Sequence, residues 1–187
     1  EVFGDFNRAG ALGALGWASI NSVGAITTSG LPVGVPGEVH CFARQPDGKL
    51  LAGGNFRWAE GAAIDGFVRL MPGSDRIDES WQPAFLGGPV RAIAVAGGEI
   101  FIGGSFDTAD GMAGSLVKYG LFSDGLPDPD WNPGGGEVTA LATSRDHVFA
   151  AGGGLRQIDR LTGVPNPGWG TTVINEYGPV EVRVLKL

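Results

Sequence analysis

The residues of this 187-residue chain that could do chemistry are few and scattered. The two histidines, His40 and His147, stand at repeat positions that hold Arg, Thr, Glu or Lys in other copies. The single cysteine, Cys41, stands where other copies carry Ala or Val, which indicates a small buried site and not a reactive thiol. Catalysis needs a nucleophile or an acid and base in one place, and a metal site needs closely spaced ligands. The sequence predicts neither, and therefore a protein that is not an enzyme.

Two further patterns bear on cofactors. Asp124, Asp128 and Asp130 could bind calcium, but their spacing does not match a calcium-binding hand, and Asp128 stands at a turn position that recurs as Asp or Asn in other repeats. The run 152–154 is rich in glycine, as phosphate loops are, but no Lys follows it. We predict no cofactor and keep Ca2+ open as the alternative.

Composition excludes two classes of partner. The net charge is −7, and the 13 Lys and Arg residues are dispersed singly, so a phosphate backbone would be repelled and nucleic acid is not expected. No apolar run approaches the roughly 20 residues of a membrane helix, so we expect no membrane-spanning segment. The 34 glycines and 12 prolines, set between short apolar runs, favour many short strands joined by tight turns.

One sequence motif occurs four times along the chain. It is an apolar strand that ends at a glycine, and in three copies a Phe stands two residues after that glycine. Glycine is the residue expected where the backbone must bend or approach a neighbour closely. The four equivalent glycines of this predicted corner are Gly4, Gly54, Gly104 and Gly152. A recurrence of about 50 residues is typical of a repeat architecture.

Each unit adds a strand with a polar residue at its third position, and in every unit but the first an Asp or Asn follows, three residues before a Trp. An Asp or Asn side chain can close a turn on its own backbone, which explains the restriction to these two types. Recurrence also predicts that the tryptophans, together with the one aligned with Phe67, form the structural core: Trp17, Trp81, Trp131 and Trp169. The predicted units are residues 1–38 together with 180–187, then 39–89, 90–137 and 138–179.

These units predict an all-β fold in a single domain, 1–187. Periods of 40 to 50 residues with about four strands suit a propeller blade, so we expect a β-propeller of about four blades. Residues 180–187 match the beginning of a unit, and residues 1–6 match the later part of one, around the glycine corner. We therefore expect the N- and C-terminal strands to pair and close the ring, with a cut through a longer array as the alternative.

The pattern resembles the bacterial delta-60 repeat family, in the segments 45–49 (Gln-Pro-Asp-Gly-Lys), 53–56 (Gly-Gly-Asn-Phe), 69–70 (Arg-Leu) and 78–81 (Asp-Glu-Ser-Trp). A similar Gly-Gly-x-Phe motif occurs in the fungal cortical cell-polarity marker family. The resemblance covers nearly the whole chain but departs in using Trp where Phe is usual. It implies a secreted or surface-exposed, non-enzymatic repeat protein, located in the extracellular space, the periplasm or the cell surface.

Aromatic residues without counterparts in other copies are the candidates for contact with a partner. Trp58 aligns with Thr108 and Arg8, follows Arg57 directly, and is the first candidate; Tyr177 is the second. We therefore expect a scaffold that mediates protein-protein contacts, with another protein or a homo-oligomer as its partner in a larger assembly. The alternative is a carbohydrate-binding propeller that uses Trp58 and Tyr177 to bind a glycan, and a propeller hydrolase or lyase is less favoured.

Overall fold

A computed structural model gives the fold as strands and turns, with no helix among the residues that it describes. Those residues are 2–3, 8–9, 12–13, 17–20, 22–23, 25–29, 37–58, 64–74, 76–83, 87–107, 115–121, 123–171, 174–175 and 178–179. The all-β prediction is confirmed.

The first sheet and a short hairpin come from the beginning of the chain. The sheet has the order β1-β4-β5 and the hairpin pairs β2 with β3, all antiparallel. Their bounds are β1 (Val2–Phe3), β2 (Arg8–Ala9), β3 (Leu12–Gly13), β4 (Trp17–Ile20) and β5 (Ile26–Ser29). Within β4, the backbone of Trp17 lies opposite that of Phe3.

The second and third sheets are antiparallel meanders of three strands each. The second sheet consists of β6 (Gly37–Arg44), β7 (Leu50–Trp58) and β8 (Ile64–Leu70), and the third of β9 (Val90–Ala96), β10 (Glu99–Gly104) and β11 (Leu116–Gly120). The turn between β9 and β10 uses Gly97 and Gly98, both with positive φ, as expected for a two-residue hairpin turn.

The fourth sheet adds a fourth strand to the same meander. It consists of β12 (Val138–Thr143), β13 (His147–Gly152), β14 (Leu155–Asp159) and β15 (Pro165–Thr171), and a short pair β16 (Ile174–Asn175) and β17 (Gly178–Pro179) follows. Each sheet has two ends. We call the end with the hairpin turns 45–49, 96–99 and 143–147 the turn end, and the opposite end, where the first strand begins, the corner end.

The predicted four-bladed propeller is wrong. The described strands form separate small antiparallel sheets, and no closed ring joins them. Among the described residues every strand pairs only within its own stretch of chain, and consecutive sheets meet through side chains. The repeat therefore determines the strands of one unit, but it does not encode hydrogen bonds between sheets that would close them into a ring. The predicted closing pair needs residues 180–187, which lie outside the described residues.

The glycine corner is a β-bulge in each of the second, third and fourth sheets. The register between the first two strands skips one polar residue, which is His40, Arg91 or Thr139. The bulge brings Gly104 against the backbone of the preceding loop, where a methyl group would overlap the Pro89 carbonyl oxygen. The same overlap with a carbonyl oxygen would arise at Gly54 and Gly152, whereas Gly4 lies outside the described residues.

The described residues form three apolar cores, of which two lie between consecutive sheets and the third belongs to the second sheet. The first joins the second and third sheets and contains Leu51, Phe67, Trp81, Val90, Ile100, Ile102, Phe106, Val117 and Tyr119. The second joins the third and fourth sheets and contains Phe101, Leu116, Trp131, Val138, Val148, Ala150 and Ile158. Sheet-to-sheet packing therefore depends on side chains that interdigitate, not on shared backbone hydrogen bonds.

The four predicted core tryptophans differ in their burial. Trp81 and Trp131 are 2% and 1% exposed. Trp169 departs from the prediction, because it is 36% exposed and packs on Phe149 with their ring centroids 5.2 Å apart. The physical reason is that Trp81 and Trp131 are each covered by the next sheet, whereas no further described sheet covers Trp169. The side chain of Trp17 lies outside what the structure describes.

Replacing Gly104 by Ala should lower the free energy of unfolding by about 2 kcal/mol, because the new methyl group must displace the 89–90 backbone. Urea unfolding followed by tryptophan fluorescence measures this loss. The matched control is Gly153→Ala, since a Cβ there meets no atom within 4 Å. Equal stability of the two variants would show that the close approach at the corner imposes no constraint.

Candidate interaction surface

The turn end of the second sheet is organised by a buried ion pair. Arg69 on β8 donates from Nε to Oδ2 of Asp78 at 3.0 Å, and its Nη2 lies 2.9 Å from the same oxygen. Nζ of Lys49, from the hairpin turn, lies 2.9 Å from that oxygen too. The Arg69 guanidinium also stands over the Trp81 ring, 4.6 Å from its centroid, in a cation–π contact. One carboxylate thus fixes a strand, a hairpin and a tryptophan.

Asp78 also closes the turn that carries Trp81. Its Oδ1 accepts from the backbone N–H of Ser80 at 3.1 Å, and its own N–H donates to the Arg69 carbonyl oxygen at 2.9 Å. Burial raises the pKa of Asp78, but hydrogen bonds from Ser80 and Lys49 and the charges of Arg69 and Lys49 outweigh it and lower that pKa to about 2. The Asp78 carboxylate is therefore ionised throughout the ordinary pH range.

The third sheet repeats the arrangement with Lys in place of Arg. Nζ of Lys118 lies 2.9 Å from Oδ2 of Asp128 and 5.9 Å from the centroid of the Trp131 ring. The hydrogen bond from Lys118 is the main cause of the lowered pKa of Asp128. The backbone N–H of Asp130 donates to Oδ1 of Asp128 at 3.0 Å.

The fourth sheet uses a neutral version of the pair. Nδ2 of Asn166 donates to Oε1 of Gln157 at 2.8 Å, and the backbone N–H of Gly168 donates to Oδ1 of Asn166 at 3.1 Å. The predicted Asx turn before each tryptophan is therefore confirmed in all three sheets. Sequence reasoning missed the partner of that Asx residue, although the polar third position of the third strand was a visible signal.

The same cations connect neighbouring sheets. Arg69 donates to the Leu121 carbonyl oxygen in the third sheet at 3.4 Å, and Lys118 donates to the Leu161 carbonyl oxygen in the fourth at 3.4 Å. Arg160 of the fourth sheet pairs with Glu99 of the third. The turn end is thus held by side chains that reach from one sheet to the next.

Exposed apolar side chains stand on these fixed turns. Leu126, Leu161 and Val164 are 58%, 68% and 61% exposed, and all three lie between a third strand and the Asx residue that follows it. Met71 follows the third strand of the second sheet and is also exposed. We call these four residues the turn-end surface. Exposed apolar side chains on ordered turns are candidates for contact with a protein partner.

Hydrogen bonds to the backbone hold the loop that carries Leu161 and Val164. The carboxylate of Asp159 accepts from the N–H of Leu161 at 3.1 Å and from the N–H and hydroxyl of Thr162, both at 2.8 Å. These bonds, with the Thr162 N–H bond the strongest cause, lower the pKa of Asp159. The loop is therefore pre-ordered before any partner arrives.

The residues predicted for partner contact are only partly described. Arg57 is exposed near the end of β7, with its backbone opposite that of Asp65. The Trp58 backbone lies opposite that of Ile64, but its side chain is outside what the structure describes, as is all of Tyr177. The carbohydrate-binding alternative depends on these two aromatics and stays a prediction.

The histidines and the cysteine each have partners of their own. His40 is exposed, with its Nε2 3.5 Å from Oε2 of Glu38, and His147 packs against Phe149. Burial raises the pKa of the Cys41 thiol despite a hydrogen bond to the Gly53 backbone that lowers it, so the thiol stays protonated. Across the described part of the chain, no group of three or more His, Cys, Asp or Glu side chains could hold a metal ion.

At the corner end, one polar cluster joins the third and fourth sheets. Nε of Arg91 lies 3.1 Å from Oε1 of Glu137 and 3.2 Å from Oγ of Ser105, and Ser105 donates to the same Glu137 oxygen. All three side chains satisfy one another, so the cluster serves to join the sheets. In the portion of the chain that is described, no helix is long and apolar enough to cross a membrane.

Comparison with known proteins bears on the fold alone. No family model and no curated protein matches the chain. The chain is similar to the crystal structure of the computationally designed Ika8 protein, with 17% identity and a TM-score of 0.59, over 89% of this chain and 44% of that one. It is also similar to the extracellular domain of a one-component system from B. thetaiotaomicron, with 15% identity and a TM-score of 0.42, over 81% of this chain and 23% of that one. The match thus spans less than half the length of either solved chain.

Replacing Asp78 by Asn should lower the free energy of unfolding at pH 7 by about 3 kcal/mol, because it leaves the buried Arg69 guanidinium without its counter-charge. Asp47→Asn is the control, since this carboxylate is exposed and lies 3.7 Å from Lys49. Urea unfolding at pH 7 measures both, and equal losses would contradict the central role of Asp78.

The Asp78→Asn variant should also change how the free energy of unfolding depends on pH in the acid range. The pKa of Asp78 falls from 3.8 to about 2 on folding, so its carboxylate stabilises the fold fully above pH 4. That contribution, about 2 kcal/mol, is lost as the pH falls from about 4 to 2. Stability measured across this window should fall less steeply in Asp78→Asn than in the wild type. An unchanged slope would mean that other carboxylates dominate acid unfolding.

A neutral pair should substitute in part for the ion pair of the third sheet. We expect Lys118→Gln and Asp128→Asn each to destabilise the fold, and the double variant to lose about 1 kcal/mol less than the sum. The reason is that Gln157 and Asn166 already hold the equivalent positions of the fourth sheet with one hydrogen bond. A double-mutant cycle by urea unfolding tests this, and strict additivity would show that the two side chains are not coupled.

Proposed function

We propose that this chain is a non-enzymatic structural module that binds another protein through the turn-end surface. The observation that carries the proposal is the exposure of Leu126, Leu161 and Val164 on turns that hydrogen bonds and ion pairs hold in place. A pre-ordered apolar surface loses little conformational entropy on binding, which favours association. We also propose that the protein lies outside the cytoplasm, in an extracellular or surface assembly. This part of the proposal rests on the resemblance of its sequence repeats to the delta-60 repeat family.

The charge distribution at the turn end supports contact over catalysis. Arg69 and Asp78 are buried and paired with each other, and the buried Lys118 is paired with Asp128. These charges therefore stabilise the turns and do not activate a substrate. Leu126, Leu161 and Val164 stay exposed, as do charged side chains of the same turns such as Glu79, Asp124 and Asp130. A partner would therefore meet leucine and valine side chains bordered by charged ones, and an apolar centre with a polar rim is the arrangement of an ordinary protein interface.

Site-specific photo-crosslinking tests the proposal. A photoreactive amino acid at position 161 should give a discrete protein adduct in extracts of the source cells, and excess wild-type chain should compete it away. Excess Leu126→Ser/Leu161→Ser chain should compete poorly, because two exposed apolar contacts are lost. The same amino acid at Asn55, exposed near the corner end, is the matched control.

Three results would count against a turn-end partner. They are the absence of an adduct at 161, equal labelling at 55, and equal competition by the double variant. Circular dichroism and urea unfolding of each variant exclude loss of the fold as the cause.

A further inference from the structure

Among the described residues, no sheet lies over the outer face of the fourth sheet, although the second and third sheets each have a neighbour on that face. Three apolar positions define the face: Leu51, Phe67 and Trp81 in the second sheet, Phe101, Leu116 and Trp131 in the third, and Phe149, Leu155 and Trp169 in the fourth. We call the last three the open face. In the second and third sheets all six side chains are at most 2% exposed, whereas Trp169 is 36% exposed.

The valine that opens the next sheet covers the centre of each internal face. A Cβ at Gly53 would lie 3.0 Å from Cβ of Val90, and a Cβ at Gly103 would lie 2.8 Å from Cβ of Val138. These glycines are therefore the points at which the next sheet approaches the face most closely. We call this position the valine seat. Ala151 holds it in the fourth sheet, one residue before the corner glycine.

The valine seat of the fourth sheet is buried, although the larger side chains around it are not. Ala151 is 1% exposed, and Ala140, whose backbone lies opposite, is 4% exposed. Phe149 and Leu155 on the same face are half-buried. Neither alanine belongs to an apolar core formed by the described residues. Because this burial is present in a single chain, it favours a cover supplied by the chain itself over a second copy.

The sequence contains a further segment of the kind that covers an internal face. Residues 180–187, which lie outside the described residues, begin with a valine and a polar residue, as β9 and β12 do. Val180 follows Trp169 by eleven residues, and the opening valines of the third and fourth sheets follow Trp81 and Trp131 by nine and seven. Eleven residues can span about 35 Å, so this linker is long enough even though the β16-β17 hairpin takes up part of it.

We propose that the segment 180–187 lies over the open face of its own chain, with Val180 on the valine seat at Ala151. Side chains make this contact, and it needs no hydrogen bond to the N-terminal strands, so it does not restore a closed ring. The open face is separate from the turn-end surface, and the proposal does not rest on the function proposed above. The driving force is removal of the valine side chain and the apolar face from water.

A single covering strand explains which part of the open face is buried. Between the third and fourth sheets, the first strand of the covering sheet supplies Val138, whereas the turn after its third strand covers the tryptophan. There the indole N–H of Trp131 donates to the Arg160 carbonyl oxygen at 3.0 Å. Residues 180–187 can supply the counterpart of the first strand but not of that turn. The valine seat is accordingly buried, and Trp169 is exposed.

Disulfide cross-linking tests the proposal. With an alanine at the seat, ordinary contact places the two Cβ atoms about 3.5 to 4.5 Å apart, which is also the Cβ separation of a disulfide. Ala151→Cys/Val180→Cys in a Cys41→Ala background should therefore form an intramolecular disulfide in oxidised glutathione. Mass spectrometry should find the chain lighter by two hydrogen atoms, with no thiol left to alkylate. The matched control, Ala151→Cys/Glu181→Cys, should remain alkylated at both thiols, because adjacent side chains of a strand point to opposite faces.

Three results of this experiment would overturn the proposal. They are equal cross-linking of both cysteine pairs, no cross-linking of either pair, and a disulfide that forms only between chains. The last result would assign the open face to a second copy. Near-UV circular dichroism of the reduced variants establishes that each is folded before oxidation.

Urea unfolding gives a second measurement that needs no new cysteine. Val180→Ser should lower the urea midpoint, because it removes the apolar side chain from the seat, whereas Glu181→Ser should leave the midpoint within error of the wild type. Equal midpoints for the two variants would contradict the proposal as well. None of these outcomes affects photo-crosslinking at position 161, so the two proposals fail separately.

Discussion

The buried carboxylate of Asp78, held between Arg69 and Lys49, is the interaction on which the second sheet and its neighbours depend. An ionised group cannot be buried without partners, so the position of the carboxylate dictates where both cations lie. Its backbone N–H caps the edge of β8, and its other oxygen closes the turn that leads to Trp81. A single side chain therefore joins strand pairing, turn formation and the placement of the largest core residue.

That placement explains how separate sheets form one stack. Trp81 and Phe67 meet edge-to-face at 5.2 Å, and the third sheet closes over them with Val90 and Tyr119. The glycine corner lets the backbones of neighbouring strands approach closely enough for this interdigitation. Because side chains and not backbone ladders connect the sheets, each sheet depends on its neighbour for burial and for the side-chain hydrogen bonds and ion pairs that cross between them.

Local chemistry made part of this structure predictable from the sequence. Alternating apolar residues, Gly97-Gly98 and the Asx residue before each Trp indicate strands and turns through interactions that span few residues. The pairing of Arg69 with Asp78 was not predicted, although both positions were recognised as polar, because it depends on how the third strand meets the following turn. The propeller prediction was wrong for a related reason, since closure depends on contacts that no single repeat encodes.

The prediction that Trp169 is buried had the same weakness, and the fourth sheet shows the physical consequence. Recurrence says that a residue has the same role as its counterparts, but burial requires a neighbour as well as a residue type. Where the neighbour is missing among the described residues, water reaches the tryptophan and the polar pair beside it. An exposed ion pair contributes about 1 kcal/mol or less, so a neutral Gln157–Asn166 hydrogen bond loses little by comparison. The charged pairs of the second and third sheets belong to covered tryptophans, and the uncharged pair to the exposed one. Burial by the next sheet therefore determines whether the cation, the carboxylate and the tryptophan stabilise the fold together.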